Sequence, residues 1–193
     1  YSTAFAPRRK TYKINELLKD NTWGYKVMRN GGYSYNKHPH PIMKSQTNAG
    51  PCFLCKKNDF EKIRFQEELW LDDMPYALGE DQTMFYKMFL SGLNVLTSYD
   101  SGIKHLDAGT TIKNAEKEKV LAFCDCRFKL IFWKRFLFDN VTRANKVVNL
   151  ICFVYTMIIN LLISLIKGNT TIFKQKYYGY KSGFHFLTTN SSK

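Results

Sequence analysis

The sequence predicts an α/β fold that is followed by an apolar helix. Residues 76–92 (YALGEDQTMFYKMFLSG) contain a glycine, two adjacent acids, an amphipathic run with Met and Phe at helical spacing, and a closing glycine. Branched and aromatic residues at 93–99, just before a turn at 100–102, predict a strand after this helix. Helix, glycine, strand and turn in succession indicate an α/β domain. Farther along, residues 147–166 carry no charged side chain and predict a long apolar helix.

Length and charge limit the class of protein. The chain has 193 residues, of which 45% are hydrophobic, so it can bury one core and is not wholly disordered. Its formal net charge of +13 predicts an anionic partner, which is nucleic acid, a phosphorylated ligand or an anionic membrane surface. Six of the sixteen acidic residues nevertheless lie close together, which a nucleic-acid surface would not favour: Glu67, Glu68, Asp72, Asp73, Glu80 and Asp81.

Composition divides the chain into four segments. Residues 1–48 are basic and aromatic, and we expect an irregular segment with a short helix near 14–20 whose aromatic side chains pack on the main body; stacking on bases or sugars is the alternative. Residues 49–112 hold the predicted α/β part. Residues 113–169 combine a basic, aromatic linker with the apolar helix, and residues 170–193 form a basic tail. The start of the chain has no basic and apolar leader, so we expect no signal peptide.

The chain has an odd number of cysteines and no regular disulfide framework, which indicates a reducing compartment: Cys52, Cys55, Cys124, Cys126 and Cys152. The first pair has the C-x-x-C spacing of a zinc or redox site, but the second pair does not repeat it. Structural thiols, buried or half-buried, are therefore the preferred interpretation. The apolar stretch 52–55 also predicts a core strand that enters a loop.

The apolar segment 147–166 is about 20 residues long, which is enough to cross a bilayer core as a helix. We expect membrane contact, because a soluble part of this size could hardly enclose a helix that is apolar on every face. Basic residues flank both ends, so the positive-inside rule does not choose between a crossing helix and one that dips in from the cytoplasmic side: Lys134, Arg135, Arg143 and Lys146 before it, and Lys167, Lys174 and Lys176 after it.

Two carboxylates mark the start of the predicted helix. We expect Asp81 to be its N-cap and Gly92 to end it in the left-handed conformation. The unpaired amides and the dipole at a helix start keep a carboxylate ionised, and an ionised carboxylate can accept a proton. From spacing alone, however, acidic residues at a helix start are more often caps than catalytic groups, and this applies to Glu80 and Asp81.

Two other motifs have both a functional and a structural interpretation. Trp70 lies among four carboxylates, a composition that suits sugar binding, because an indole stacks on a pyranose while carboxylates accept hydroxyl hydrogen bonds. An exposed acidic turn anchored by a buried Trp70 explains the same residues equally well. His105 and Asp107 are two residues apart in a predicted loop, where they suit a metal or phosphate site or ordinary hydrogen bonding.

A family resemblance rests on three successive motifs: AGPCFLCKK, FQEELWLDD and YALGEDQTMFYKMFLSGLNVLTSYDSGIKH. They resemble the second half of the catalytic domain in family 2 glycosyltransferases of the GT-A type. In that family a glycine-led strand precedes an acidic, aromatic acceptor region, a Glu-Asp pair opens a helix that ends in glycine, and a strand and a histidine-bearing loop follow. The resemblance covers residues 46–112, and the C-terminal part of the chain is similar to that of bacterial members acting at the inner membrane surface.

The resemblance implies a Rossmann-like GT-A fold, of which residues 49–112 are the C-terminal half, with apolar helices after it. It implies transfer of a sugar, with inversion, from a nucleotide-diphosphate donor to an acceptor hydroxyl in the synthesis of a surface polysaccharide or glycolipid. The residue roles carried over are these: Asp81 as general base, Glu80 orienting the hydroxyl or contacting the acceptor, Trp70 and Asp73 lining the acceptor side, and His105 at the metal or diphosphate.

The chain departs from the family in one large respect. The donor-binding first half, which ends in an Asp-x-Asp metal motif, is not recognisable, so we expect a fragment of an enzyme that uses Mg or Mn with its main ligands outside this chain. The implied partners are the sugar donor, a glycan or lipid-linked acceptor and a membrane contacted by residues 147–166, without nucleic acid. The implied location is the cytoplasmic face of a bacterial inner membrane. The alternative function is a non-catalytic basic membrane protein that binds nucleic acid or anionic lipid.

Overall fold

The computed structural model describes residues 23–36, 40–48, 52–76, 78–100 and 114–189. Contacts divide these residues into two compact units. The first unit takes its described residues from Tyr1–Met28, Gly32–Leu69 and Gly79–Ala108. The second unit takes them from Arg29–Gly31, Trp70–Leu78 and Gly109–Lys193.

The first unit contains two small antiparallel sheets of two strands each. Strand β1 (Tyr25–Val27) pairs with β2 (Tyr33–Tyr35), and β3 (Ile42–Lys44) pairs with β4 (Leu96–Ser98). The hydroxyl of Ser45, just after β3, lies fully buried between the two sheets. It accepts a hydrogen bond from the backbone N–H of Tyr25 at 3.1 Å and lies 2.7 Å from the hydroxyl of Thr97. Polar side chains therefore join strands that are distant in sequence.

The two helices of the first unit lie between β3 and β4 in the chain and contribute to one apolar core. Helix α1 (Lys57–Lys62) is followed by a 3-10 turn at Phe65–Glu67 and by α2 (Glu80–Leu90). The methionines and phenylalanines of α2 point inward as their spacing predicts, and the buried core consists of Ile63, Met84, Phe85, Met88 and Val95.

The second unit is helical. A 3-10 turn at Leu69–Leu71 leads into it, and α3 (Ala115–Phe132) continues through a π-helical stretch at Trp133–Phe138. Helices α4 (Arg143–Ile166) and α5 (Thr170–Thr189) complete it. The core is aromatic, with the Trp133 and Phe153 rings stacked 4.4 Å apart.

Helix α5 packs most closely on α3, and two glycines allow this approach. A Cβ atom added at Gly183 would lie 3.2 Å from the carbonyl oxygen of Arg127. One added at Gly179 would collide with the carbonyl oxygen of Phe123. The backbones of α3 and α5 are therefore nearly in contact, as small residues at a helix interface permit.

The described residues are rich in helix and include two small sheets, which is compatible with a mixed α/β class. The strand predicted at 93–99 is present as β4, and the long apolar helix is α4. No Rossmann-like sheet is formed within these residues, so the GT-A assignment stays a prediction. The four predicted segment boundaries also stay predictions, and the helix predicted at 14–20 lies outside the described part.

Two local predictions are wrong. Residues 52–55 are not a core strand: they are exposed, Leu54 by 98%, and no strand lies beside them in the described part of the chain to pair with their backbone. The described portion of 1–48 is not irregular, because it forms β1, β2 and β3. Its aromatic residues do pack on the main body of the first unit, where the Trp23 ring meets Phe89 edge-on at 5.6 Å.

Candidate active site

The site is built on the first turn of α2. Gly79, not Asp81, is the N-cap residue, and its φ of 89° places it in the left-handed region. The expectation that Asp81 caps the helix is therefore wrong. Glycine adopts this backbone conformation without a side-chain penalty, so the chain turns there and the helix begins at Glu80. At the other end Gly92, with φ of 84°, stops the helix as predicted.

The C-terminal end of α2 is a complete Schellman motif. The N–H of Gly92 donates to the carbonyl of Phe89 at 3.0 Å, and the N–H of Leu93 donates to that of Met88 at 3.1 Å. At the beginning of the helix, the Thr47 hydroxyl donates to the carbonyl of Gln82 at 3.1 Å. Helix α2 is thus fixed at both ends and provides a rigid support for the residues of its first turn.

Asp81 is half-buried, while its neighbour Glu80 is exposed. Burial, and secondly the negative charge of Glu80, raise the pKa of Asp81 to about 6. Burial therefore outweighs the helix-start effect that would hold the carboxylate at a lower pKa. Within the described residues no Lys, Arg or His forms an ion pair with Asp81. At neutral pH the group is mainly ionised and has a pKa suited to accepting a proton.

The side chain of Thr83, two residues after Asp81, is fully buried, and its hydroxyl has no hydrogen-bond partner among the described residues. Buried hydroxyls normally find a partner, so this one marks an unusual polar position beside the first turn. Sequence reasoning missed both Thr83 and Thr47, because a threonine in a helix or loop gives no local signal of burial.

Glu68 belonged to the predicted acidic cluster but is a buried structural residue. Its carboxylate accepts a hydrogen bond from Lys87 Nζ at 2.6 Å, and the Glu68 side chain is only 3% exposed. The same ammonium group donates to the carbonyl of Arg64 at 3.2 Å. This ion pair fixes the segment before α2 to the last turn of the helix.

Trp70 and Asp73 lie in the second unit, whereas Glu80 and Asp81 lie in the first. The Trp70 side chain is 3% exposed and its ring stacks on Phe128 at 5.9 Å. Arg127 donates to the carbonyl of Trp70 at 3.0 Å and to the Asp73 carboxylate at 3.4 Å. Asp72 and Asp73 are thus exposed beside a buried Trp70, as the acidic-turn interpretation expects, whereas Glu68 of the same turn is buried. An acceptor-binding role for Trp70 and Asp73 stays a prediction.

The remaining predictions concern His105, the cysteines and a metal site. His105 lies outside the described residues. Cys124, Cys126 and Cys152 are buried as expected, but the expectation is wrong for Cys52 and Cys55, which are exposed free thiols. Within the described part of the chain, no three His, Cys, Asp or Glu side chains come together in a way that could hold a metal ion.

Comparison with family models, curated proteins and solved structures finds no match to this chain. Function is therefore inferred from the residues and their geometry.

Helix α4 is long and apolar. It has 24 residues and contains an 18-residue window with a mean hydropathy of 2.2, of which only 22% is buried. By length and composition it can cross a membrane.

Proposed function

We propose that this chain carries the acceptor-activating part of a family 2 glycosyltransferase of the GT-A type, with Asp81 as the general base. The observation that carries the proposal is the Asp81 carboxylate itself, half-buried on a rigid helix, with a pKa raised to about 6. The order of motifs around it, from the acidic turn through the Glu-Asp helix to the following strand, supports the same family.

The chemistry requires one carboxylate close to the acceptor hydroxyl. Asp81 takes the hydroxyl proton as the oxygen attacks the anomeric carbon of the donor sugar. A bond forms between that oxygen and the carbon, while the bond from the carbon to the diphosphate oxygen breaks. The nucleoside diphosphate leaves with the electron pair, and attack from the opposite side inverts the anomeric centre. Glu80 raises the basicity of Asp81 and contacts the acceptor.

The complete enzyme is proposed to hold the donor through a nucleotide-binding half and a divalent metal, Mg or Mn, which when bound would supply positive charge to the diphosphate. The described residues supply no cluster fitted to that metal, so its ligands are assigned elsewhere, with His105 as a contributor at the metal or diphosphate.

The proposed location is the cytoplasmic face of a bacterial inner membrane, where a lipid-linked or glycan acceptor of surface polysaccharide or glycolipid synthesis is available. Helix α4 supports membrane contact, because it is long and apolar enough to span a bilayer. Residues 143–189 include six Lys or Arg residues and no Asp or Glu, a charge that suits the anionic cytoplasmic leaflet.

The test is sugar transfer by the enzyme completed with its donor-binding half. Membranes that contain it are incubated with a panel of UDP and GDP sugars, and release of the nucleoside diphosphate is measured. Asp81→Asn keeps the size of the side chain but removes the base, so we expect the rate to fall by about 10²–10⁴-fold. Unchanged release by Asp81→Asn would disprove the assignment.

Matched controls separate the base from a general effect of lost charge. Asp72→Asn removes an exposed carboxylate of the acidic turn and should leave turnover within about twofold. Glu80→Gln should lower turnover less than Asp81→Asn, because Glu80 acts through Asp81 or the acceptor. Helix content from circular dichroism verifies that each variant is folded.

The alternative is a non-catalytic basic membrane protein that binds nucleic acid or anionic lipid. It predicts binding that falls steeply with salt and is the same in wild type and in Asp81→Asn. The excess of basic over acidic residues in α4 and α5 favours an anionic ligand. These helices also expose large apolar side chains, which favours lipid over nucleic acid as that ligand.

A further inference from the structure

Helix α4 exposes its apolar face and buries its polar face, which is the reverse of a helix on the surface of a water-soluble protein. A continuous line of large apolar side chains, here called the apolar stripe, is exposed to between 36% and 83% and recurs every three or four residues: Val147, Leu150, Ile151, Val154, Tyr155, Ile158, Leu162, Leu165 and Ile166. Residues three and four apart share one face of a helix, so the stripe runs along the whole length of α4.

The polar side chains of α4 lie on the opposite face and are held by the rest of the second unit. Arg29 Nη1 donates to the Asn149 side-chain oxygen at 2.9 Å, near the beginning of the helix. Asn30 donates to the Thr156 hydroxyl at 3.2 Å, near its middle. Protein therefore covers the polar face, and the apolar face is turned outward.

The last third of α4 shows the same arrangement. Lys176 Nζ, from α5, donates to the side-chain oxygen of Asn160 at 2.8 Å and to the hydroxyl of Ser164 at 2.9 Å. The Asn160 amide in turn approaches the Cys126 sulfur of α3 at 3.6 Å and the Tyr180 hydroxyl at 3.3 Å. Helices α3 and α5, with their charged residues, thus accompany α4 well into its apolar length.

Charge identifies what covers the stripe. From residue 143 to 189 the sequence has six Lys or Arg residues and no Asp or Glu. Arg143 and Lys167, at the two ends of α4, are exposed. A large apolar face with basic residues at its ends, whose long stems reach towards headgroups, is complementary to an anionic lipid surface.

The exposed face of α5 has the composition of a membrane interface. Lys174 and Lys181 alternate at helical spacing with large aromatic residues, since Tyr177 and Tyr178 are each 50% exposed and Phe184 is 65% exposed. Tyrosine and lysine are the side chains that proteins place at the level of lipid headgroups.

The partners of the polar face favour one orientation of α4 at a membrane. A crossing helix would carry Lys176 into the hydrocarbon, together with the half-exposed Asp125–Lys129 ion pair of α3, whose atoms lie 2.6 Å apart. Charged side chains are strongly disfavoured there. A helix that lies in the plane of the interface inserts only its apolar stripe and leaves α3, α5 and their charges on the aqueous side.

We propose that the second unit docks on the surface of an anionic phospholipid bilayer, with α4 in the plane of the interface and its apolar stripe inserted into one leaflet, so that α4 does not cross. This inference does not depend on the proposed glycosyltransferase function, since it concerns the second unit and its test does not measure sugar transfer.

The first experiment measures flotation of the full chain with vesicles of phosphatidylcholine, alone or mixed with phosphatidylglycerol. We expect binding to the mixed vesicles and a loss of about tenfold or more when Ile151 and Ile158 are both replaced by Glu. Both side chains are exposed, so the fold should persist, as circular dichroism verifies. Lys174→Glu with Lys181→Glu should reduce binding severalfold on the mixed vesicles and hardly at all on phosphatidylcholine alone.

The matched control is Leu96→Glu, which adds a charge at a 56% exposed apolar residue of the first unit and should bind as wild type. Flotation that the Ile151→Glu, Ile158→Glu variant retains in full would overturn the proposal. So would a stable dimer of the wild type in analytical ultracentrifugation that the same variant dissociates, because a second copy would then cover the stripe.

The second experiment determines sidedness. Ala144→Cys and Thr171→Cys, both at exposed positions beyond the two ends of the stripe, are labelled with a membrane-impermeant maleimide in membrane vesicles of the expressing cells. The background carries Cys52→Ser and Cys55→Ser, because the other three cysteines are buried. Labelling of both positions from the same side supports the in-plane helix. Labelling from opposite sides would show that α4 crosses and would overturn it.

Discussion

Lys87 Nζ donates to the Glu68 carboxylate at 2.6 Å, and this pair joins α2 to the segment that precedes it within the first unit. Both side chains are largely buried, at 16% and 3% exposure. A buried ion pair adds little net stability, but removal of one member leaves the other charge without compensation.

We therefore expect Lys87→Met to lower the free energy of unfolding by about 3 kcal/mol, because the Glu68 carboxylate loses its lysine. The measurement is urea unfolding of the chain in a mild detergent. The double change Glu68→Gln with Lys87→Met should recover much of the loss, since the buried charge is then gone as well. Equal stability of single variant and wild type would contradict a buried pair.

The raised pKa of Asp81 predicts that its ionisation opposes folding. Its pKa of about 6 in the folded chain lies above the ordinary aspartate pKa of 3.8. The fold is therefore more stable with Asp81 protonated than with Asp81 ionised. This contribution to stability is complete below about pH 4 and is lost as the pH rises through about 6. Asp81→Asn should raise the free energy of unfolding at pH 8 by only on the order of 1 kcal/mol, because water still solvates the exposed part of the carboxylate.

Unfolding of Asp81→Asn and wild type at pH 4 and pH 8 tests this sign. The two proteins should differ at pH 8 and agree more closely at pH 4. Asp72→Asn, at an exposed position, is the control and should show no such pH-dependent gain. A variant that is less stable than wild type at pH 8 would show that Asp81 supports the fold.

Glu80 predicts a shift in the pH dependence of sugar transfer, if Asp81 is the base. The negative charge of Glu80 raises the pKa of Asp81, so Glu80→Gln should move the acidic limb of the profile of kcat/KM to lower pH. Glu67→Gln, an exposed acid outside α2, should leave the limb in place. A limb that does not move with Glu80→Gln would mean that another group controls the rate.

The close approach of α3 and α5 predicts a large effect from one methyl group. Gly179→Ala should destabilise the second unit by about 2 kcal/mol, because its Cβ meets the backbone carbonyl of Phe123, which cannot yield easily. Gly183→Ala is the matched comparison: its Cβ contacts are 3.2 Å, and the gain in helix propensity partly offsets them. Thermal unfolding in detergent should place Gly179→Ala clearly below Gly183→Ala.

Local patterns in the sequence predicted those elements whose residues determine them locally. Helix α2, strand β4 and helix α4 follow from apolar spacing, β-branched content and an uncharged run, and Gly92 stops its helix as a left-handed glycine should. The predictions that were wrong concern residues whose structure depends on distant partners. Residues 52–55 could form a core strand only beside a second strand, and their own sequence does not indicate whether that second strand is present.

Predictions for the candidate site were limited for the same reason. The sequence marks Asp81 as a possible base, but its pKa depends on how deeply α2 is packed. A tryptophan among carboxylates suits a sugar platform and a structural anchor equally, and its own segment does not reveal that the Trp70 ring stacks on Phe128, 58 residues away in sequence. The burial of Glu68 is not visible in its own segment, because its partner Lys87 is 19 residues away in sequence.

Gly79 sets the direction in which Asp81 points. Successive residues of an α-helix are rotated by about 100° around its axis. The residue at which the helix begins therefore determines the direction in which every later side chain points. A residue that resists the left-handed conformation at position 79 would move the first turn and swing the carboxylate away from its half-buried position. Gly79 contributes no side chain of its own, yet its backbone conformation controls the direction in which the Asp81 carboxylate points.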